Sequence, residues 1–386
     1  MRATTLLPTL LCVAGATPVF PRQDVDLTII IAAPDPSTAT IPIGVGSQVV
    51  SYDLPAATRD ATVSPLPVGT EAATSLVAIT SLVSTGSLAA TSSLHLAARQ
   101  SQACEPLAAG DGPQPTPDTA DAFLAFQDFS NAAKGAVTPA GYVLQYQDLK
   151  ASSNAYGYLG HRTLKTYAPD QCASQCNYIT GCSGFGIYFE RAPTVVPGSG
   201  DNCTDPASTT VIKCVFWGGY LAENNAMNDG QFLQDFHVVI AGSNGYMATA
   251  VPEVPGFTGQ FLGTSTIDAP LDCNGQDTYM GPKFFSQSYY DPNLCAAACQ
   301  SQNDYNTAHP PPDGDPQICR FFTTYLVARN GIPEGQYCAL YTEFWDSSYA
   351  TNEGQYRGND HYTVGQAYSY SNTASPSVSN CTTVIA

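Results

Sequence analysis

A cysteine frame that occurs twice constrains this chain more than any other feature. Cys172-Ala-Ser-Gln-Cys176 is followed by Cys182 and Cys214, and Cys295-Ala-Ala-Ala-Cys299 by Cys319 and Cys338. One spacing relates Cys172 to Cys295 and Cys176 to Cys299, and a nearly equal one relates Cys214 to Cys338. Cys182 and Cys319 stand further apart, so one loop differs in length. The match reaches well beyond the cysteines. Gly141-Tyr142 and Gln145-Tyr146 match Gly256-Phe257 and Gln260-Phe261, and Tyr158-Leu159-Gly160 matches Tyr279-Met280-Gly281. Tyr167-Ala168-Pro169-Asp170 matches Tyr290-Asp291-Pro292-Asn293. Asn228-Asp229-Gly230-Gln231-Phe232 matches Asn352-Glu353-Gly354-Gln355-Tyr356. Collinear matches with small gaps are what duplication of one domain leaves behind. Two copies of this length read as paired globular modules and not as a solenoid.

The frame also carries local geometry. Two cysteines four apart lie on one face of a helix, one turn apart. Pro169 and Pro292 stand upstream, where a helix start accepts proline. Each Cys-x-x-x-Cys segment is therefore expected on a short helix. Cys182–Phe189 and Cys319–Leu326 read as strands from their aromatic and β-branched content, and Cys214–Trp217 and Cys338–Tyr341 as second strands. A helix offering two thiols to two strands makes two bridges through one small core, and either assignment of partners satisfies the spacing. Asp118–Ala133 is expected to be one helix, with Pro117 at its start and Ala122, Phe126, Phe129 and Ala133 at helical spacing.

The beginning of the chain bears on the compartment. Arg2, the short apolar stretch Thr4 to Val13, and the small-x-small run Ala14-Gly15-Ala16 read as a secretory signal peptide over residues 1–16. About 10 apolar residues are too few to span a bilayer. Removing that peptide removes Cys12 and leaves an even number of the 13 cysteines, as a fully oxidised extracellular protein requires. The net charge of −18, with 14 Lys+Arg against 32 Asp+Glu, makes nucleic acid and anionic membranes poor partners. No membrane span is expected.

Residues 17–103 contain no cysteine and are rich in Ser, Thr, Ala, Val and Pro. Three readings fit them: a glycosylated stalk, a pro-segment cut after Arg99, or partial β-structure at Leu27–Ala32 and Ile41–Ser51. A weakly ordered segment is the expectation. Residues 104–140 then form a linker with the extra helix, 141–250 the first module and 251–386 the second.

The order of a Cys-x-x-x-Cys helix, a Cys-x-Phe strand and a Cys-x-Leu/Phe-Tyr/Trp strand resembles the PAN/apple domain family. The resemblance implies an α+β fold: two tandem disulfide-stapled modules, each a short helix across a twisted antiparallel sheet. It also implies the nested pairing Cys172–Cys214 with Cys176–Cys182, and Cys295–Cys338 with Cys299–Cys319. An outer bridge seen in some apple domains would join Cys273 to Cys381, leaving Cys104 to pair with Cys203. A bridge such as Cys104–Cys381 between the modules is the alternative. The chain departs from the family in two stretches read as insertions, Ala192 to Lys213 and Ala328 to Gln336. From Cys104 onward, the two-copy arrangement looks like a group of secreted fungal proteins of unassigned role.

Catalytic and metal chemistry find little support. Zinc sites want a second Cys pair or His at matching spacing, and here the partner cysteines stand singly on strands. No Gly-x-Ser-x-Gly elbow occurs, no acidic pair stands out, and Gly242-Ser243-Asn244-Gly245 reads as a turn. No catalytic residue, metal or cofactor is expected. His237 and His361 occupy equivalent places and read more simply as strand histidines than as ligand-facing groups. Asn202 and Asn380 open glycosylation sequons that include Cys203 and Cys381. Trp217, Tyr220, Phe344, Trp345 and Tyr349 form an aromatic group after Cys214 and Cys338. Aromatic faces bind sugars and proline-rich peptides, although each of these residues taken singly reads more simply as core filling. The expectation is a secreted, non-catalytic protein that binds a protein or a cell-wall glycan, with Trp217, Tyr220, Trp345 and Tyr349 as candidate ligand residues. A carbohydrate-active enzyme with its site between the modules, or a structural wall protein, are the rivals.

Overall fold

The computed structural model describes residues 23–36, 52–63, 104–198, 203–312 and 314–374. The signal-peptide residues, Ile41–Ser51, Arg99, Asn202, Asn380 and Cys381 lie outside them. The fold is α+β, mostly antiparallel sheet with few helices, and five disulfides are formed among the described residues.

The first sheet contains β1 (Tyr142–Leu149), β2 (Tyr158–Leu164), β3 (Gly184–Pro193), β4 (Ser208–Trp217), β5 (Gly230–Leu233) and β6 (Phe236–Ala248). Its order is β1-β6-β3-β4-β2, with β5 also on β6. The second sheet contains β7 (Phe257–Gly263), β9 (Tyr279–Phe285), β10 (Phe321–Arg329), β11 (Ile332–Tyr341), β13 (Gly354–Arg357) and β14 (Asp360–Asn372). A small β8 (Thr266–Ile267) pairs with β12 (Ala350–Asn352). Here the order is β13-β14-β10-β11-β9, with β7 also on β14. Matching β7 to β1 and β13 to β5 makes the two strand orders the same. All the pairings are antiparallel.

Helix α5 (Pro169–Cys176) bonds Cys172 to Cys214 on β4 and Cys176 to Cys182, just before β3. Helix α6 (Pro292–Ala308) bonds Cys295 to Cys338 on β11 and Cys299 to Cys319, just before β10. α6 is longer because its extra turns hold the longer approach to Cys319. The Asn303 carboxamide exchanges two hydrogen bonds with the Cys319 backbone, and Asn306 donates to the Gln317 carbonyl. Cys104 is bonded to Cys203, and Cys273 is disulfide-bonded.

The expected helix over Asp118–Ala133 is two helices, α3 (Ala120–Ala125) and α4 (Gln127–Gly135), broken at Phe126, which is extended. The break brings Phe123 and Phe129 together, ring centroids 4.5 Å apart, so that both bury against the first sheet. The stretch Ala328 to Gln336 is not an insertion. It is strand almost throughout, turned at Asn330-Gly331, whose φ angles of +52° and +82° suit a tight hairpin. Ala192 to Lys213 does lengthen the β3–β4 hairpin, and Cys203 in its loop is the anchor for Cys104.

The largest departure from expectation is at the beginning of the described chain. Leu27–Ala32 is helix α1, not strand, and Leu54–Val63 is helix α2. Asp26 caps α1 by accepting from the Thr28 amide at 2.9 Å, and Leu27 and Ile30 are buried. Capping and burial together override the β preference of Thr28 and the three isoleucines. α2 lays the small Ala57 and Ala61, one turn apart, into the core beneath α6. α1 thus packs on the second sheet and α2 on α6.

Each sheet is covered on both faces. The disulfide face of the first packs Phe185, Ile187 and Phe216 against α3, α4 and α5, and its other face packs Tyr188, Val215 and Trp217. The disulfide face of the second packs Phe322, Leu340 and Tyr370 against α6, together with Tyr156 from the first half of the chain. Its outer face packs Tyr325, Tyr337 and Tyr341 against Val25, Leu27 and Ile30.

Candidate functional site

The two halves meet through aromatic residues that enter glycine-lined slots. Tyr289 lies against Gly181 and Gly218, and a Cβ on Gly181 would come within 2.3 Å of its ring. Tyr156 donates its hydroxyl to the Ser288 carbonyl across the contact. These contacts hold the sheets together along one line; two adjoining clefts of about 310 and 390 Å³ lie beside it, and a third of about 390 Å³ is lined by Tyr289, Tyr290 and Asp291. Tyr220 and Thr264 line both of the adjoining clefts.

The smaller cleft is lined by aromatic and apolar groups from both halves, among them Val143, Met247, Phe261 and Tyr368, and no charged side chain faces it. Phe261 is half exposed and lies 5.1 Å from the Tyr368 ring. Tyr220 donates to the Gln145 carboxamide at 3.4 Å, and its backbone carbonyl accepts from Asn225 at 2.8 Å. Burial raises the Tyr220 phenol above its ordinary range, so it stays a neutral donor and acceptor.

Gln366 is the unusual residue of this cleft. It is 1% exposed. Burial pushes the Tyr368 phenol up, and hydrogen bonding with the Gln366 side chain partly offsets it. Gln366 also has φ +49°, a left-handed conformation that costs a side chain on the order of 1 kcal/mol. It sits in a bulge of β14, where the register with β10 slips between Thr324 and Leu326. The matching bulge of β6 is occupied by Gly242, φ +57°. A side chain could not fit there, because its Cβ would lie 2.7 Å from the Phe129 carbonyl of α4. Thus one copy fills the bulge with a helix and a glycine, and the other with a strained carboxamide facing a cleft.

The larger of the two adjoining clefts adds Asn225, Glu353 and His361. Glu353 is the one carboxylate and His361 the one imidazole among its lining residues. His361 stacks on Tyr356 with centroids 4.1 Å apart, and His237 stacks on Phe232 at the same separation in the first half. Among the described residues, no group of three or more His, Cys, Asp or Glu is placed to hold a metal.

The four aromatic candidates separate. Trp217 is 2% exposed, packed edge-on to Tyr158 inside the first sheet's outer face. Trp345 is buried, with its indole N–H donated to Thr278 at 2.9 Å, and Tyr349 lies edge-on against it. Both tryptophans therefore serve the core and offer no face to a ligand. Tyr220 does reach the clefts. Gln366, Gln145, Phe261 and Tyr368 were missed by sequence reasoning. Setting Gly242 against Gln366 at the spacing of Cys214 and Cys338 would have flagged the first of them.

Five disulfides fit an extracellular protein. No helix among the described residues is long and apolar enough to cross a membrane. No protein-family model, no curated protein and no solved structure matches the chain.

Proposed function

We propose that this is a secreted, non-catalytic binding protein built from two PAN/apple-like modules, and that the cleft around Gln366 holds a short, neutral, hydroxyl-rich ligand such as a cell-wall glycan. The observation that carries the reading is the neutral cleft in which Tyr220, Phe261 and Tyr368 stand beside the strained Gln366. The Tyr220 hydroxyl and the Gln145 carboxamide on the cleft wall offer sugar hydroxyls both donors and acceptors. Aromatic faces on either side suit the apolar face of a sugar ring. Glycoside hydrolysis calls for two carboxylates flanking the scissile bond. A cleft lined without charge, beside one lined by Glu353 alone, favours binding over hydrolysis.

A screen of the full chain against neutral glycans and wall fractions tests this. Retention is expected, and Gln366→Gly and Tyr220→Ala are expected to abolish it without unfolding the protein. Retention unchanged in both variants would remove the cleft from the reading, and release of shortened glycans would replace binding with hydrolysis.

A further inference from the structure

The outer face of the second sheet holds a separate piece of chain, and the way it does so differs from ordinary core packing. Residues Gln23–Asp26 are gripped through their main chain by side chains of the sheet. The Gln355 carboxamide accepts from the Val25 amide at 2.9 Å and donates to the Val25 carbonyl at 3.1 Å. Asn352 donates to the Gln23 carbonyl at 2.7 Å, and the Asp26 amide donates to the Tyr337 hydroxyl at 3.0 Å. Asp268 accepts from the Gln23 amide at 3.0 Å. These five bonds read backbone; the Gln23 carboxamide adds two that read a side chain, accepting from the Ala269 amide and the Tyr341 hydroxyl, each at 3.3 Å. Val25, Leu27 and Ile30 then fill apolar space between the tyrosines, and all three are buried.

Three further observations set the segment apart from the module beneath it. Residues 17–103 contain no cysteine, so no disulfide starts within that stretch. The second sheet already closes its own end through β8 on β12, which corresponds to the Ser152–Asn228 bridge of the first. The first sheet manages without such a segment: Gln231, which matches Gln355 in the duplicated run, is exposed. Lys213 and Trp217 stand there in place of Tyr337 and Tyr341. The capture site is thus specific to the second copy, made by Tyr337 and a pair of carboxamides that the first copy leaves to solvent or other uses.

We infer that the outer face of the second sheet is a main-chain-reading peptide site, occupied in cis by this chain's own residues 23–36 acting as a tethered ligand. The ligand class is a short peptide, non-helical over residues 23–26 and helical over Leu27–Ala32, with apolar side chains at the positions of Val25, Leu27 and Ile30. Main-chain bonds to one stretch and apolar anchors from a helical turn are both recurring modes of peptide capture. Tethering raises the effective concentration of such a ligand to about the millimolar range or above, so modest intrinsic affinity suffices to keep the site filled.

The test uses the full chain with a site-specific protease sequence placed between Pro36 and Tyr52. After cleavage, the N-terminal fragment is expected to stay bound on native size-exclusion chromatography while the near-ultraviolet circular dichroism is retained. It should then exchange for a labelled synthetic peptide of residues 23–36, giving saturable binding by fluorescence anisotropy. Val25→Asp in that peptide is expected to weaken binding at least ten-fold with the host protein untouched, and a scrambled peptide not to bind. Gln355→Ala in the host should speed release of the unmodified peptide, while Arg357→Ala, on the same hairpin, should leave release unchanged. Loss of the native spectrum on cleavage would overturn the inference, because the segment would then be an indispensable part of the core. Failure of the labelled peptide to exchange at high dilution, or equal binding of the Val25→Asp and scrambled peptides, would overturn it as well.

Discussion

The buried ion pair of the first sheet can be rewritten with residues that the chain itself supplies. Lys213 Nζ lies 2.8 Å from Glu190 Oε2, with the side chains 0% and 4% exposed. The same places on the second sheet are held by Tyr337 and Val327. There Tyr325 stacks on Tyr337 at 5.0 Å, as Tyr188 faces Lys213 across β3 and β4. Glu190→Val alone takes away the carboxylate that Lys213 contacts, and Lys213→Tyr alone takes away the ammonium that Glu190 contacts. Breaking a buried pair by removing one partner costs about 3–5 kcal/mol, whereas replacing both with well-packed apolar groups is often neutral or stabilising. The double variant is therefore expected within about 1 kcal/mol of the parent, so the coupling between the sites is at least about 5 kcal/mol. In a domain of this size each kcal/mol moves Tm by about 2–4 °C, so either single change should lower Tm by roughly 6–20 °C and the double by little. Scanning calorimetry of the four proteins reads the cycle, with Lys213→Met as a second single that keeps side-chain volume. A double variant as unstable as the sum of the singles would refute the reasoning. It would mean that the ion pair, and not its apolar substitute, is what this face requires.

Three other outcomes are expected. His161 is 1% exposed, its Nδ1 sits 3.0 Å from the Tyr158 hydroxyl, and its Nε2 is buried without a partner. Burial first, then the nearby Lys213 and Arg162, lower its pKa to about 4. Below pH 6.5 the unfolded chain takes up a proton that the folded chain refuses, so stability falls as pH drops from 6.5 toward about 4. The loss is at most about 3 kcal/mol. Unfolding measured across that range should show the loss in the parent and not in His161→Gln; identical pH profiles would disprove the assignment. Gln366→Gly removes the left-handed strain, so it should stabilise the protein by about 1 kcal/mol while glycan retention disappears. A destabilised Gln366→Gly protein would show that the carboxamide belongs to the core. Gly181→Ala places a methyl group into the Tyr289 ring at φ +80° and should cost about 2 kcal/mol or more. Its effect should appear as a loosened contact between the two halves, read as new proteolytic cleavage near Ser288.

Much of the secondary structure could be read from residues because local chemistry and duplication agreed. Pro-x-x-Cys-x-x-x-Cys puts proline at a helix start and two thiols on one face, and both α5 and α6 begin at that proline. The doubled Asn-x-Gly-Gln run forms the β5–β6 and β13–β14 hairpins, with Gly230 and Gly354 both at φ +118°. Other features had no local signature. Strands β3 and β4 are buried on both faces, so the alternation that would have told Trp217's direction is missing. Leu27–Ala32 has strand-like composition and becomes helix because a cap and a partner surface outweigh propensity. The strain at Gln366 arises in a bulge, and a bulge is a property of two strands paired, not of one.

The sequence by itself determined the duplication, the helix–strand placement of the paired cysteines and the acidic, cysteine-rich character of the chain. These depend on spacing, periodicity and composition, which act within a few residues or add up along the chain. Only the tertiary structure decided that the N-terminal segment closes the second sheet, that the tryptophans are core, and that a neutral cleft forms beside Gln366. Those outcomes depend on which surfaces meet. Burial and the pairing of polar groups are settled between residues far apart in the chain, such as Val25 with Gln355 and Tyr220 with Gly365.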